Sequence, residues 1–366
     1  MTFTAEDHAF MARALQLAER GRETAPPNPN VGCVIVKAGR IIGEGWHARA
    51  GEPHAERLAL AACTESPQGA TAYVTLEPCA HQGRTGPCAD ALVEARVGRV
   101  VAAIEDPFPQ VQGRGFARLR EAGIRAEVGC MAAEAEETHR EFLHLVRRGR
   151  PWMRIKAAAS LDGRIALADG ESRWITGEAA RRDVHALRAR SAGMLTGVGT
   201  VLADDPELTV RHVPCARQPR RILVDSRLDV PPTARLLRGE PPIVFTLSRD
   251  AARRERIAAT GARLVDAAED AAKPGKIDLA AMARTLGRLD FPDVTVETGT
   301  KLNGSLLAAG VIDEIVLYVA PMLLGDASRG LFALPGIASL DAALRPRIVD
   351  VRMVGPDLRI TARMAR

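Results

Sequence analysis

Aromatic side chains are scarce in this chain, at 4% of 366 residues. That is too few to furnish the stacking platforms on which single-stranded nucleic acid rests its bases. The formal charge of +5 therefore does not point to RNA or DNA, because the arginines are scattered among acids rather than gathered into a face that neutralises phosphates. The densest basic run of the second half, Arg253-Arg254-Glu255-Arg256, is interrupted by a carboxylate and reads as a solvated helix face. Cysteine is sparse too, and the six present lack the spacing of a secreted disulfide framework. Also missing are a secretory leader and the ~20-residue apolar run that a membrane helix needs. These absences lead us to expect a reducing, cytoplasmic compartment with neither membrane nor nucleic acid as partner. No internal repeat or low-complexity segment is apparent.

What is present is a set of metal-ligating residues in a specific order. His54-Ala55-Glu56 is followed by Glu77-Pro78-Cys79 and then Cys88. A neutral imidazole and two thiolates can hold Zn²⁺ and leave a fourth position for water, with the nearby carboxylate as proton carrier. Zinc lowers the pKa of its water from ~15.7 toward ~7, which suits hydrolytic removal of an exocyclic amine from a nucleobase-like ring. The pattern thus predicts His54, Cys79 and Cys88 as ligands and Glu56 as the catalytic acid and base. A closed structural zinc site or simple core cysteines are the bland alternatives, and the ordered His-x-Glu and Pro-Cys elements argue against them. Eight residues separate the cysteines here, where the general pattern has two. The intervening loop is long, polar and basic, which suits contact with a phosphorylated substrate. Cys33, Cys63, Cys130 and Cys215 have no ligand-like partners and read as core or incidental thiols.

At this length the chain suits two domains. Thr4 and Asp7 can cap a first helix carrying Phe10, Ala14 and Leu17, which Gly21 ends. Strands at 31–36 and 41–45 form a hairpin around Ala38-Gly39. The metal-bearing helix, a strand before Cys79, a helix after Cys88, a strand at 97–104 and a helix near 115–122 complete a three-layer α/β domain. One helix over 132–145 then leads into a polar Gly/Pro linker, Arg147-Arg148-Gly149-Arg150-Pro151. The boundaries expected are 1–147 and 148–366. The second half alternates again, with strands at 152–157, 221–224, 242–245, 294–297 and 314–319 and helices at 178–190, 279–286 and 302–309. Gly197-Val198-Gly199 and Gly113-Arg114-Gly115 lack the third glycine of a dinucleotide fingerprint and are weak evidence for a Rossmann site. Glu297-Thr298-Gly299, by contrast, lies between a strand and a helix. That turn reads either as an ordinary strand-to-helix loop or as a cradle that offers free N–H groups and the positive helix end to a cofactor diphosphate.

Three runs in the first half, Asn28-Pro29-Asn30-Val31-Gly32-Cys33, Gly51 to Glu56 and Glu77 to Cys88, closely resemble the bifunctional riboflavin-biosynthesis deaminase/reductase family. The resemblance continues through Ala159 to Arg164, Gly170 to Thr176, Val201 to Pro206 and Ala320 to Gly325, and so covers nearly the whole chain. It implies a cytidine-deaminase-like domain followed by a dihydrofolate-reductase-like domain. The implied chemistry is zinc-dependent deamination of 2,5-diamino-6-ribosylamino-4(3H)-pyrimidinone 5′-phosphate, a small phosphorylated pyrimidine, followed by NADPH-dependent reduction of the ribosyl group to ribityl.

The resemblance carries Ala158, Trp174, Thr200, Asp204 and Ser226 into the cofactor site, together with the run Gly299, Thr300, Lys301, Leu302, Asn303, Gly304 and Ser305. Ser172, Arg188, Leu208, Arg211 and Glu297 match its positions for the sugar-phosphate substrate. Arginine offers phosphate a planar fork, and Glu297 can accept from sugar hydroxyls. Asn28 and His47 are candidates for ring or ribose contacts, Arg84 for phosphate, and Lys156 for a polar contact near the reacting sugar. Ser226-Arg227, after a strand, could meet the 2′-phosphate of NADPH. Thr298 departs mildly from the family loop and bears on cofactor fit. A homo-oligomer is the expected state, of unspecified order.

Overall fold

The first helix, α1 (Ala5–Arg20), begins where the sequence supplies its caps. Thr4 Oγ1 accepts from the Asp7 N–H at 3.1 Å and the Asp7 carboxylate accepts from the Thr4 N–H at 2.9 Å. The same carboxylate accepts from the Tyr73 hydroxyl at 2.8 Å and from Arg99 at 2.6 Å, so the cap also fastens the helix to the sheet. In this computed structural model, which describes residues 2–80, 86–334 and 336–365, the chain divides into two units, Met1–Arg148 and Gly149–Arg366.

The first unit holds β1 (Gly32–Lys37), β2 (Arg40–Trp46), α2 (Ala55–Ala61), β3 (Thr71–Val74), α3 (Cys88–Glu94), β4 (Arg99–Ala102), α4 (Arg114–Glu121), β5 (Arg125–Val128), α5 (Ala132–Thr138) and α6 (Arg140–Arg148). Its sheet runs β2-β1-β3-β4-β5. β1 is antiparallel to both neighbours, and β3, β4 and β5 are parallel. Strand alternation sends Cys33, Ile35, Val74 and Val100 to one face, against Ala59, Leu92, Phe116 and Leu119 from α2, α3 and α4. Val34, Val36, Tyr73 and Val101 face the other way, onto Met11, Leu17, Ala135 and Leu143 from α1, α5 and α6. The seven-residue helices α2 and α3 are too short to persist alone. Burial of each large side chain, at ~1.5–3 kcal/mol, decides their stability.

The single helix expected over 132–145 is two helices. They part at His139, whose buried ring turns inward to put Nε2 3.0 Å from Thr75 Oγ1. The stretch read as a linker is ordered at both ends. α6 runs to Arg148, and Arg150 clamps the Asp313 carboxylate at 2.7 and 2.9 Å, inside the second unit.

That unit contains β6 (Trp152–Ser160), β7 (Arg164–Ala166), α7 (Glu178–Arg190), β8 (Gly193–Gly197), α8 (Val198–Asp204), β9 (Arg220–Val224), β10 (Ile243–Thr246), α9 (Ala251–Ala258), β11 (Arg263–Asp266), α10 (Leu279–Arg288), β12 (Asp293–Val296), α11 (Thr300–Ala308), β13 (Glu314–Ala320), β14 (Arg329–Gly330), β15 (Arg347–Val354) and β16 (Asp357–Arg363). Nine strands form one sheet, β11-β10-β9-β8-β12-β6-β13-β16-β15, while β7 pairs with β14. The sheet is parallel from β11 to β13 and closes with the antiparallel β16 and β15. Leu195, Ile222, Phe245 and Val296 pack beneath α10 and α11, and Met194, Leu223 and Val244 pack with Val201 and Ile257. Val316 and Tyr318 on β13 meet Val184 of α7. Arg253 to Arg256 lie in α9. Among the described residues no helix is long and apolar enough to cross a membrane.

Candidate active sites

In the first unit the four residues of the metal pattern meet at the end of the sheet. His54 caps α2 with extended backbone, Glu56 is in its first turn, Cys79 follows β3, and Cys88 opens α3. The placement of α2 depends on two glycines of β2. A Cβ at Gly45 would lie 2.5 Å from the Ala55 carbonyl oxygen, and one at Gly43 would lie 2.2 Å from that of Ala59. Only hydrogen at these positions allows the helix to sit flush on the strand.

The ligand atoms of His54, Cys79 and Cys88 all lie within 4.8 Å of one another. His54 Nδ1 stands 3.6 Å from Cys79 Sγ and 3.4 Å from Cys88 Sγ. A tetrahedral zinc with Zn–S of ~2.3 Å and Zn–N of ~2.05 Å has N···S edges of about 3.6 Å, so the three donors fit that ion. The Cys88 thiol donates to Cys79, which holds Cys79 well below the ordinary thiol range and raises Cys88. Glu56 is 3% exposed. Burial, reinforced by the Cys79 thiolate, pushes its carboxyl up to about 7.

A second set of contacts fixes the cysteines. Glu77 is buried, and its carboxylate accepts four backbone N–H groups: Asp106 at 3.2 Å and Gly113 at 3.0 Å on Oε2, Gly115 at 2.9 Å and Phe116 at 3.3 Å on Oε1. It thereby ties the Pro78-Cys79 corner to the loop before α4. Asp106, in that loop, is raised to about 6 by burial, with Glu77 and Cys79 adding. Arg57 donates to the Gly86 and Pro87 carbonyls at 3.1 and 3.3 Å, just before Cys88. Sequence reasoning assigned no role to Arg57, Glu77 or Asp106. Glu77 adjoins the Pro-Cys element, but neither spacing nor composition distinguishes the other two.

His47 is buried beside His54, the rings edge-on at 5.1 Å. Its Nδ1 lies 3.2 Å from the Pro53 carbonyl and its Nε2 3.2 Å from the Asn28 amide nitrogen. Burial lowers its pKa, and these partners assign the tautomer with the proton on Nδ1. His47 therefore orients Asn28 at the edge of the metal cluster. Arg84 lies outside the described residues.

The second unit gathers its candidates at the carboxyl ends of the parallel strands. Arg188, in the last turn of α7, donates from Nε and Nη2 to the two Glu297 oxygens, each at 2.8 Å. Burial alone would raise Glu297, but Arg188 and Lys156 outweigh it and hold the carboxylate down at about 2. Lys156, half-buried on β6, is lowered by burial despite Glu297. Arg188 also reaches the Thr209 carbonyl at 3.1 Å. Leu208 is buried with φ of 54°, and Arg211 is exposed, bonded through Nη1 to Glu207 at 2.6 Å. His185 Nδ1 accepts from the Arg211 N–H at 3.1 Å, and Gln218 brackets Val210 from both its N–H and its carbonyl. No sequence signal marked these last two residues.

Gly299 caps α11 without a side-chain hydrogen bond, no acid stands in the first turn, and a Cβ on Gly299 would meet nothing within 4 Å. This uncapped helix start fits a diphosphate. Within the expected run, Gly299, Thr300, Lys301 and Leu302 form that opening. Asn303 is buried with its side chain on Thr298, Gly304 lies against Ala333, and Ser305 bonds back to the Lys301 carbonyl. Ala158 sits on β6, and Ser172 is half-buried in the stretch before α7. Thr200 and Asp204 lie on α8, Arg173 donates to the Asp204 carbonyl at 2.9 Å, and Trp174 is 69% exposed with Arg181 stacked 4.6 Å from its ring. Ser226 follows β9, and Arg227 points outward to Asp229 at 2.9 Å.

A metal-and-carboxylate site on one α/β unit and a helix-start cofactor cradle on another define a zinc-site deaminase joined to a reductase. Residues 4–104 match the family model for the cytidine and deoxycytidylate deaminase zinc-binding region, and residues 151–360 match that for the RibD C-terminal domain. The riboflavin biosynthesis protein RibD of Escherichia coli K12 is 48% identical over 96% of this chain and 98% of its own length. That of Haemophilus influenzae is 44% identical over 99% and 98%. Among solved structures, Acinetobacter baumannii RibD superposes with a TM-score of 0.91 at 42% identity, covering 99% of both chains. The diaminohydroxyphosphoribosylaminopyrimidine deaminase/5-amino-6-(5-phosphoribosylamino)uracil reductase of Thermotoga maritima gives 0.86 at 31% identity, covering 98% of this chain and 99% of its own. The chain belongs to the RibD family of riboflavin biosynthesis proteins. Its fold is accordingly a cytidine-deaminase-like unit followed by a dihydrofolate-reductase-like unit.

Proposed function

We propose that this protein carries out two consecutive steps of riboflavin synthesis. The first is hydrolytic removal of the 2-amino group of 2,5-diamino-6-ribosylamino-4(3H)-pyrimidinone 5′-phosphate. The second is reduction of the ribosyl group of the product to ribityl with NADPH. We assign deamination to residues 1–147 and reduction to residues 148–366. The observation that carries the reading is the buried Glu56 beside three ligand atoms lying within 4.8 Å of one another.

His54, Cys79 and Cys88 would hold a zinc ion, which when bound would supply the acidified water of a hydrolytic deamination near neutral pH. Glu56 takes a proton as the oxygen adds to the amino-bearing carbon, and passes it to the adjacent ring nitrogen. It then carries the hydroxyl proton to the amino group, which leaves as ammonia and a ring carbonyl remains. A carboxyl held at about 7 is suited to accept and return protons in turn. Asn28, oriented by His47, contacts the ring or ribose, and Arg84 the phosphate.

In the second unit NADPH, when bound, supplies a hydride. Gly299, Thr300, Lys301 and Leu302 receive its diphosphate, with Ala158, Trp174, Thr200, Asp204 and Ser226 along the same site. Glu297 and Lys156 bind the sugar, and Ser172, Leu208 and Arg211 the phosphate end. Arg188 acts through Glu297, keeping it ionised to accept sugar hydroxyls. Reduction would place the hydride on C1′ and break the C1′–O4′ bond, with O4′ taking a proton from solvent water to become the new hydroxyl.

We infer a cytoplasmic homo-oligomer. The four cysteines outside the metal pattern, Cys33, Cys63, Cys130 and Cys215, none of them in a disulfide, support a reducing compartment. The exposed Ile348, Val351 and Met353 on the edge strand β15 support self-association. Incubating the purified protein with the diaminopyrimidine phosphate, with and without NADPH, tests both reactions through product masses. Without cofactor an amino group should be replaced by oxygen with ammonia released, and with it two hydrogens should be added. An unchanged substrate mass under both conditions would overturn the assignment.

A further inference from the structure

Among the described residues no strand pairs with residues 209–211. Side chains from α7 and from the loop before β9 take a neighbouring strand's place. Arg188 Nη1 donates to the Thr209 carbonyl at 3.1 Å. Gln218 Oε1 accepts from the Val210 N–H at 2.8 Å, and its Nε2 donates back to the Val210 carbonyl at 3.1 Å. His185 Nδ1 accepts from the Arg211 N–H at 3.1 Å. Just upstream, Leu208 adopts a φ of 54° with its side chain buried. A left-handed conformation at such a residue persists only where its surroundings over-determine it, and such positions gather at functional sites.

The clamp also has a fixed end. The Arg188 guanidinium that holds Thr209 grips both oxygens of Glu297 at 2.8 Å, so the 209–211 segment is registered against the end of β12. His185 is buried edge-on to His212, ring centroids 4.5 Å apart. Burial, with Arg188, His212 and Arg211 adding, lowers it to about 4. It is therefore neutral at working pH, with the Nδ1 lone pair free to accept.

We propose that His185 and Gln218 are positioning residues of the reductase site, holding Thr209–Arg211 so that Arg211 meets the substrate's phosphate at a fixed distance from Glu297. The inference rests on the reading of Arg211 as a phosphate contact. Losing one main-chain anchor lets the segment relax, and the interaction lost is the one between Arg211 and phosphate. The sugar and the nicotinamide keep their own contacts.

The test is the ratio of reductase kcat/KM for the aminouracil ribosyl phosphate to that for its dephosphorylated form, measured on the full chain. His185→Ala and Gln218→Ala should each reduce this preference about tenfold, the scale of one hydrogen bond to a charged group. The change should lie in KM for the phosphorylated substrate, with kcat within about twofold and the NADPH dissociation constant, read by fluorescence titration, unchanged. His185→Asn, whose amide oxygen can replace Nδ1 as acceptor, should restore most of the preference. Equal losses on both substrates would mean a general structural defect and would overturn the inference. Arg211→Ala is the control. If it leaves the preference intact, the phosphate reading fails and the inference with it. If it abolishes the preference while Gln218→Ala and His185→Ala do not, the clamp alone is refuted. Should His185→Ala not fold, Gln218→Ala carries the same comparison.

Discussion

Glu77→Gln should loosen the metal site without touching a ligand. The carboxylate accepts four N–H groups, two on each oxygen, at 2.9 to 3.3 Å. A glutamine keeps one oxygen. If it retains Gly115 and Phe116, its amide nitrogen is set against the donors of Asp106 and Gly113. Two hydrogen bonds to a charged group, at ~1.5–3 kcal/mol each, would cost about 3–6 kcal/mol. The buried charge opposes this. Burial holds Glu77 above the usual carboxylate range even against four donors, and removing the charge recovers part of the loss. The net is about 2–4 kcal/mol, concentrated in residues 106–116 and the Pro78-Cys79 corner. Hydrogen exchange on the full chain reads this directly, since 2 kcal/mol accelerates opening about thirtyfold. Amides of 106–116 should exchange faster by at least that factor, and zinc should leave to a chelator sooner, while reduction is unaffected. Wild-type exchange and zinc retention would show that the four donors find other acceptors.

Glu56→Ala should lower ammonia release by about a thousandfold, the range for loss of an acid-base group, while elemental analysis still finds zinc. Supplied with the deaminated aminouracil phosphate, the same variant should oxidise NADPH at the wild-type rate; loss of both reactions in the folded protein would show the two sites to be coupled. Cys79→Ala should lose zinc and deamination together, and full metal occupancy in that variant would refute the ligand set. Wild-type enzyme should use NADPH in preference to NADH, and Arg227→Ala should shrink the kcat/KM ratio between them; equal use by the wild type removes the claim. Burial lowers His139 to about 4. A base whose folded pKa lies below its unfolded value stabilises the fold above the unfolded value, near 6.5, and loses that contribution as pH falls toward 4. The span is roughly 3 kcal/mol. Urea midpoints followed in the first unit should therefore drop between pH 7 and pH 4, and His139→Gln should flatten the slope; an unaltered slope argues against a buried neutral ring.

The metal pattern was legible because its residues are chemically specialised and lie within 35 positions of one another, so order alone carried it. Helix α1 was legible for a similar reason: its capping box and its Gly21 stop are local. Contacts made across the sheet were not. Nothing near Asp106 marks it as a neighbour of Cys79, and the break at His139 comes from a side chain bonding Thr75, 64 positions earlier. The edge strands β5, β11 and β15 went unread because half-exposed or charged sequences such as Arg125–Val128 carry no apolar run. The cofactor turn was visible as strand, glycine and helix. That Asn303 and Ser305 spend their side chains inside the element needed the coordinates, because the family run does not separate residues facing a ligand from those that shape the turn.

The flush seating of α2 on Gly43 and Gly45 divides the deaminase site into a rigid and an adaptable side. The nearest atoms a side chain would strike there belong to the main chain, so no rotamer change alone can make room. His54 and Glu56 ride on that helix and share its close seating on the strand. Asn28, Asp106 and the residues just before Cys88 are instead held by side-chain bonds that can be exchanged one at a time. Drift in substrate choice within such a scaffold therefore has a direction. The chemistry stays locked to the strand while recognition is rewritten where side chains alone hold the site.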